Sequence, residues 1–192
     1  MTKKYEITDI THPDFPHLRR IRALRDIPTA GVKAGDLGGW IECEHNLDHT
    51  GPAWVRDEAR VSDDARVSGS AEVFDMARVT GSARVSDDAR VSGMARVAGS
   101  AEVYGSAIVQ SSEDIMHSMV LASDQYGATL HRTTDGHLLT VGCWRGTVPE
   151  FRTMIESDKW VEATPAQIKL RRPELLAFTA MCEARIATWE QP

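Results

Sequence analysis

Twelve aliphatic residues stand six positions apart from Val55 to Leu121, and this spacing constrains the fold more than any other property of the chain. They are Val55, Val61, Val67, Val73, Val79, Val85, Val91, Val97, Val103, Val109, Ile115 and Leu121. Ten alanines, from Ala53 to Ala107, precede them by two positions in the same register. A helix brings every third or fourth residue to one face and a strand every second, so neither alone gives a strict period of six. A solenoid does. Each hexad supplies one short strand whose alanine and valine both point inward, followed by a corner of Gly, Asp or Ser. With three hexads to a turn, residues 53–124 make about four turns.

This pattern resembles the hexapeptide-repeat, left-handed parallel β-helix, a prism with three flat sides. The resemblance implies this β-helix, three hexads to a turn, over 53–124; the whole chain is expected to be mainly β, with an N-terminal cap and solenoid entry over 1–52. A small C-terminal α+β domain, a β-hairpin plus three helices, would fill 125–192. It implies little about activity, because that fold hosts acyltransferases, carbonic anhydrase-like enzymes and inert spacers.

The residue between each alanine and its aliphatic points outward by strand alternation. Every third hexad shares a face, which gives three columns: Trp54, Glu72, Arg90 and Ile108; Arg60, Arg78, Arg96 and Asp114; Arg66, Arg84, Glu102 and Val120. At a rung spacing of about 4.8 Å, Arg60, Arg78 and Arg96 form a ladder of like charge that calls for anions. Corner acids such as Asp57, Asp63, Asp64, Asp87 and Asp88, acids of a neighbouring subunit, or a bound anionic ligand could each supply them.

Net charge is -6, and the hexad stretch holds seven basic against twelve acidic residues. An acidic solenoid argues against duplex nucleic acid as a partner. Three widely spaced cysteines, Cys43, Cys143 and Cys182, suggest neither a disulfide framework nor a CxxC metal site. No apolar run reaches membrane-spanning length and the sequence MTKKYEITDI lacks a signal-peptide core, so a cytoplasmic setting is expected.

Around Tyr5 to Ile10 the pattern suggests a strand, whereas the basic run from His17 to Asp26 fits either a helix or a strand. In the segment TAGVKAGDLGGWIECEHNLDHT, Gly31, Gly35, Gly38 and Gly39 permit turns, and Trp40 is large enough to plug the open end of a prism. Together with its continuation through GPAWV into the hexads, it resembles a group of phage and prophage proteins often labelled hexapeptide-repeat, acyltransferase-like or polymer-forming. The likeness spans residues 18–110. It implies a homotrimer, in the host cytoplasm if phage-encoded.

Past Leu121 the register fails. Thr129–Thr133 and His137–Val141 alternate like a hairpin about Thr134, Asp135 and Gly136. Thr147 opens a capping box, T-V-P-E, predicting a helix over 148–157. A second box at Thr164 predicts a short helix, and Pro173 a third, with Leu175, Phe178, Cys182, Ile186 and Trp189 in one stripe.

Acyltransferases of this fold carry a catalytic histidine beside a loop that leaves the prism, yet no hexad from Ala53 to Asp124 is interrupted. His117 falls at a corner, where it is either exposed or a general base. The zinc-dependent members use three histidines; His45, His49 and His117 lack the spacing to converge, so no catalytic metal or cofactor is expected. Trp144 and Arg145, between Gly142 and Gly146, could stack on a base and clamp a phosphate, or serve as core and carboxylate partner.

A binding protein is therefore favoured over an enzyme: a phage-type homotrimer holding a small anionic ligand between subunits, by analogy a nucleotide signal of host defence. The candidate ligand-binding residues are Arg60, Arg78, Arg96, Trp144 and Arg145. An acyl-CoA-dependent acyltransferase-like enzyme and a structural or adaptor protein that binds a host protein stay open.

Overall fold

The computed structural model describes residues 3–120, 126–157, 160 and 163–189. Strands β1 (Tyr5–Thr11), β2 (Arg19–Ala23) and β3 (Leu37–Ile41) pair antiparallel in sequence order, which settles the basic run as a strand. Ten two-residue rungs follow: β4 (Trp54–Val55), β5 (Arg60–Val61), β6 (Arg66–Val67), β7 (Glu72–Val73), β8 (Arg78–Val79), β9 (Arg84–Val85), β10 (Arg90–Val91), β11 (Arg96–Val97), β12 (Glu102–Val103) and β13 (Ile108–Val109).

Rungs eighteen residues apart pair in parallel, and they stack into three sheets that wind a β-solenoid of about four turns. The ten in-register alanines from Ala53 to Ala107 and the ten valines from Val55 to Val109 are fully buried in one continuous core. Each turn hangs on the next through main-chain bonds such as Arg78 N–H to Ala95 O at 2.9 Å and Thr80 N–H to Val97 O at 2.9 Å.

The solenoid begins earlier than the alanine and valine columns suggest. β3 pairs in parallel with β5, aligning Trp40 with Arg60 and Ile41 with Val61, and Leu47 bridges Val67. Ile41 to Leu47 keeps the step of six, but Leu47 to Val55 is a step of eight, and those two extra residues hide the first turn from the repeat. Trp40 consequently sits outside the prism, not in its mouth. Gly39 takes the place of the inward alanine, where a Cβ would come within 2.7 Å of Val55 Cγ1 and 2.8 Å of Ala59 O. Below β4, where no further rung lies, the buried Lys4 Nζ donates to Ala53 O at 2.7 Å and Gly51 O at 3.3 Å. Burial pushes this amine down to about 8.

At the other end the coil stops after Val109. Ile115 still adds to the core, but it opens β14 (Ile115–Val120), which pairs antiparallel with β15 (Tyr126–Thr133). Glu113 occupies the inward alanine's place in that hexad, and a long acid cannot enter a column built for a methyl group. His117 thus lies within a strand, not at a corner, and Leu121 falls outside the described residues.

β15 continues into β16 (Gly136–Val141) and β17 (Trp144–Gly146) as an antiparallel sheet. Against it pack α1 (Val148–Glu156), with the Thr147 and Glu150 capping box formed, and α2 (Pro165–Trp189). Among the described residues two helices stand where three were expected, because Pro173 lies inside α2. The bond its missing N–H forfeits is outweighed by burial of Ile168, Leu175, Phe178 and Cys182 on both sides of it. Arg172 also ties this point to the end of α1, donating to Ile155 O at 2.9 Å and Ser157 O at 2.8 Å. Among the described residues no helix is long and apolar enough to cross a membrane.

Candidate functional site

One solenoid face carries Trp40, Arg60, Arg78 and Arg96 outward on successive rungs, as their parallel registers require. Its lower end is walled by the Pro-containing turn after β1. His12 packs edge-on to Trp40 at 4.7 Å and to Phe15 at 5.0 Å, Arg20 lies over the Trp40 ring at 4.6 Å, and Arg60 over the Phe15 ring at 4.4 Å. Glu58 fixes this wall by accepting from Trp40 Nε1 and Arg20 Nη1, each at 2.9 Å. Arg60 is held by its ring contact, while its buried Nε has no hydrogen-bond partner among the described residues.

Above it, Arg78 and Arg96 have no ion pair among the described residues. Burial first, then the charges of Arg60 and Arg96, hold the Arg78 guanidinium below its ordinary range. Elsewhere the outward arginines are served differently: Glu72 pairs with Arg90 at 3.2 Å and Arg56 at 3.4 Å, and Arg66 meets His45 Nδ1 at 2.9 Å. Arg84 opens onto a shallow depression of 210 Å³ shared with Asp87, Glu102, Tyr104 and Arg145.

Four of the corner acids are engaged by the backbone and not by the column. Asp57, Asp63, Asp75 and Asp87 adopt positive φ of 57 to 58°. Each turns its carboxylate to the amide one turn up: Asp63 accepts from Gly81 N–H at 2.9 Å, Asp75 from Gly93 at 3.0 Å, Asp87 from Gly105 at 3.1 Å, and Asp57 from Asp75 at 3.3 Å. Aspartate tolerates the left-handed region better than most residues and gains a partner there, which is why it shares these corners with glycine.

Asp114, assigned from the repeat to the top of the arginine column, turns away. Its carboxylate accepts from the Gln110 and Ser111 amides at 3.0 and 2.9 Å and lies 3.5 Å from Arg132. Trp54, outward in its column, is nonetheless only 1% exposed, with Tyr5 edge-on at 6.4 Å.

Trp144 and Arg145 do not form a joint clamp. Trp144 packs into the C-terminal core, 4.7 Å from the Phe151 ring, whereas Arg145 lies over Tyr104 at 4.3 Å and 3.8 Å from Glu102. The strand alternation of β17 separates their faces. Sequence reasoning missed the wall of His12 and Phe15, for which the only local signal was two aromatic rings around Pro13. Among the described residues no three His, Cys, Asp or Glu side chains converge as a metal site.

What this arrangement can do chemically is attract and hold an anion, with arginines rising from an aromatic floor. No family model matches the chain, and no curated protein matches it.

Proposed function

We propose that the chain is a phage-type homotrimeric binding protein that holds a small anionic, nucleotide-like ligand against Arg60, Arg78 and Arg96. The observation that carries this is Arg78. It has like charges above and below and no ion pair among the described residues. Three guanidinium groups about 4.8 Å apart repel one another unless an anion joins them. In this reading the solenoid is the left-handed, hexapeptide type, residues 1–52 form its cap and entry, and its flat sides pack about a threefold axis so that a neighbouring subunit closes the cleft. The protein acts in the cytoplasm, where sequestering a nucleotide signal of host defence fits the resemblance to phage proteins. Trp144 and Arg145 take no part.

Light scattering and calorimetry test this together. The expected mass is three times 21.2 kDa. In a panel of cyclic and ADP-ribose-type nucleotides, at least one binds. Arg78→Ala weakens it by about 1.5 to 3 kcal/mol, or tenfold to over a hundredfold, the loss of a charge-assisted bond. A wild-type protein that binds none of the panel, or a variant that binds as well, refutes the proposal.

A further inference from the structure

The top turn of the solenoid holds a chain of hydroxyl, imidazole and hydroxyl that the arginine column does not use. Ser100 Oγ lies 3.2 Å from His117 Nε2, and His117 Nδ1 lies 3.0 Å from Thr129 Oγ1. Ser100 is exposed at a corner, His117 is half-buried on β14, and Thr129 on β15 is 2% exposed. Thr129 Oγ1 also accepts from the Glu102 N–H at 3.2 Å, which anchors the buried hydroxyl to the last turn. With Nδ1 protonated and donating to Thr129, Nε2 presents its lone pair to the Ser100 hydroxyl.

Two features mark this as more than a surface contact. The imidazole is flanked by glycines: a Cβ on Gly99 would stand 3.4 Å from His117 Cδ2, and one on Gly127 3.5 Å from both His117 Cε1 and Ser100 Oγ. Neither glycine places a side chain against the ring or the hydroxyl. The Ser100 N–H has no acceptor among the described residues, whereas the Ser82 N–H one turn below donates to Gly99 O at 2.8 Å. β14 leaves the coil here, so the Ser100 amide, unlike those of Ser70 and Ser82, meets no carbonyl of a turn above among the described residues. Burial holds the His117 pKa below its ordinary value, against an opposing hydrogen bond that the ring donates to the Ala128 carbonyl, so the ring is neutral at neutral pH.

We propose that Ser100 is a nucleophile towards an activated acyl group, an ester or thioester, with His117 as its general base and Thr129 as a positioning residue. Ser100 Oγ bonds to the acyl carbon while its proton passes to His117 Nε2. That proton then goes to the leaving alcohol or thiol as its bond to the acyl carbon breaks. Water, deprotonated by the same nitrogen, attacks the acyl-serine, and release of the acid restores the hydroxyl. The free Ser100 N–H is available to the developing oxyanion. This activity stands independently of the arginine column.

The test uses the full chain with a fluorophosphonate probe and with p-nitrophenyl acetate. The probe attaches to Ser100, located by peptide mass, and ester turnover rises with pH to a plateau reached below the ordinary histidine range. Ser100→Ala, an exposed change that leaves the fold intact, abolishes both. His117→Gln lowers both by at least about a hundredfold, the usual contribution of a general base. Thr129→Val shifts the pH profile and lowers kcat with KM unchanged, and Thr129→Ser restores them. Absence of label on Ser100, or labelling that persists unchanged in His117→Gln, overturns the proposal.

Discussion

Within the solenoid, Ala71, Val73, Ala77, Val79, Ala83 and Val85 are buried in one turn and meet the same side chains above and below. In the C-terminal unit, Phe151, Leu175, Phe178 and Cys182 of two helices meet Leu130 and Leu139 of the sheet once each, with no repetition. The first core is built from small side chains and stays uniform along its length. The second concentrates its apolar area in a few large ones. In a solenoid each turn contacts only its neighbours, so damage at one rung also removes support from the next. The C-terminal core spreads a loss over its own contacts and leaves the coil in place.

The largest effect should come from placing a charge within the uniform core. Val85 lies between Val67 and Val103 on its face, fully buried, with no polar partner nearby. Val85→Asp is expected to cost more than about 5 kcal/mol and to remove cooperative melting of the solenoid. Arg84→Asp, one residue away but exposed, should leave the melting temperature within a few degrees. Equal melts for the two variants would mean that the inward and outward assignment is wrong.

Next comes Phe151→Ala, which empties the centre of the non-repeating core at an expected cost of about 3 to 5 kcal/mol. The comparison predicts where the damage stays: hydrogen exchange should quicken over α1, α2 and β15 to β17, while amides such as Arg78 and Thr80 remain protected. Uniform loss of protection would show the two regions to be one cooperative unit.

A third effect is read with pH at the seam between them. His131 on β15 is fully buried, its ring edge-on to Tyr104 at 5.6 Å, and its Nε2 has no hydrogen-bond partner among the described residues. Burial pushes its pKa from 6.5 to about 4, with a hydrogen bond to the Arg132 carbonyl opposing. A depressed folded-state value means the unfolded chain binds the proton more readily. Stability is therefore full above about pH 6.5 and declines as pH falls towards and through 4, by about 3 kcal/mol at pH 4. His131→Leu should lose this component, so the urea-midpoint difference between wild type and variant should change between pH 7 and pH 4. A difference that stays constant across that range would exclude His131 as its source.

How far the sequence revealed these regions follows from the same contrast. The repeat exposes Val55 to Val109 directly, because one small and one aliphatic position define every rung. It also marks its own end, since the alanine column stops at Ala107 and Glu113 takes the next place. The first turn escaped notice because two residues between Leu47 and Val55 break the period while the backbone still closes the turn. Pro173 misled because proline's local cost is large, and only the packing of Leu175, Phe178 and Cys182 against another element outweighs it. The arginine column was legible since it follows from the period alone. That the corner aspartates are occupied by amides was not, because it depends on φ and on the turn above.

The smallest effect tests that last point. At Asp87 the backbone sits at φ 58°, and the side chain accepts from Gly105 N–H at 3.1 Å. Asp87→Ala loses the bond and keeps the strain, so it should cost about 1 to 3 kcal/mol. Asp87→Gly also loses the bond but relieves the backbone, two terms of about 1 kcal/mol each with opposite sign, so it should be near neutral. The reverse change should not be neutral everywhere: a Cβ on Gly69, directly below, would stand 2.8 Å from Asp87 N, and Gly69→Ala must move the turn above it. Urea denaturation of these three variants ranks them. If Asp87→Gly is as damaging as Asp87→Ala, the carboxylate bond and not the backbone angle decides these corners. If both are silent, the aspartates are free to serve the neighbouring arginines, and the column of Arg60, Arg78 and Arg96 needs no outside anion.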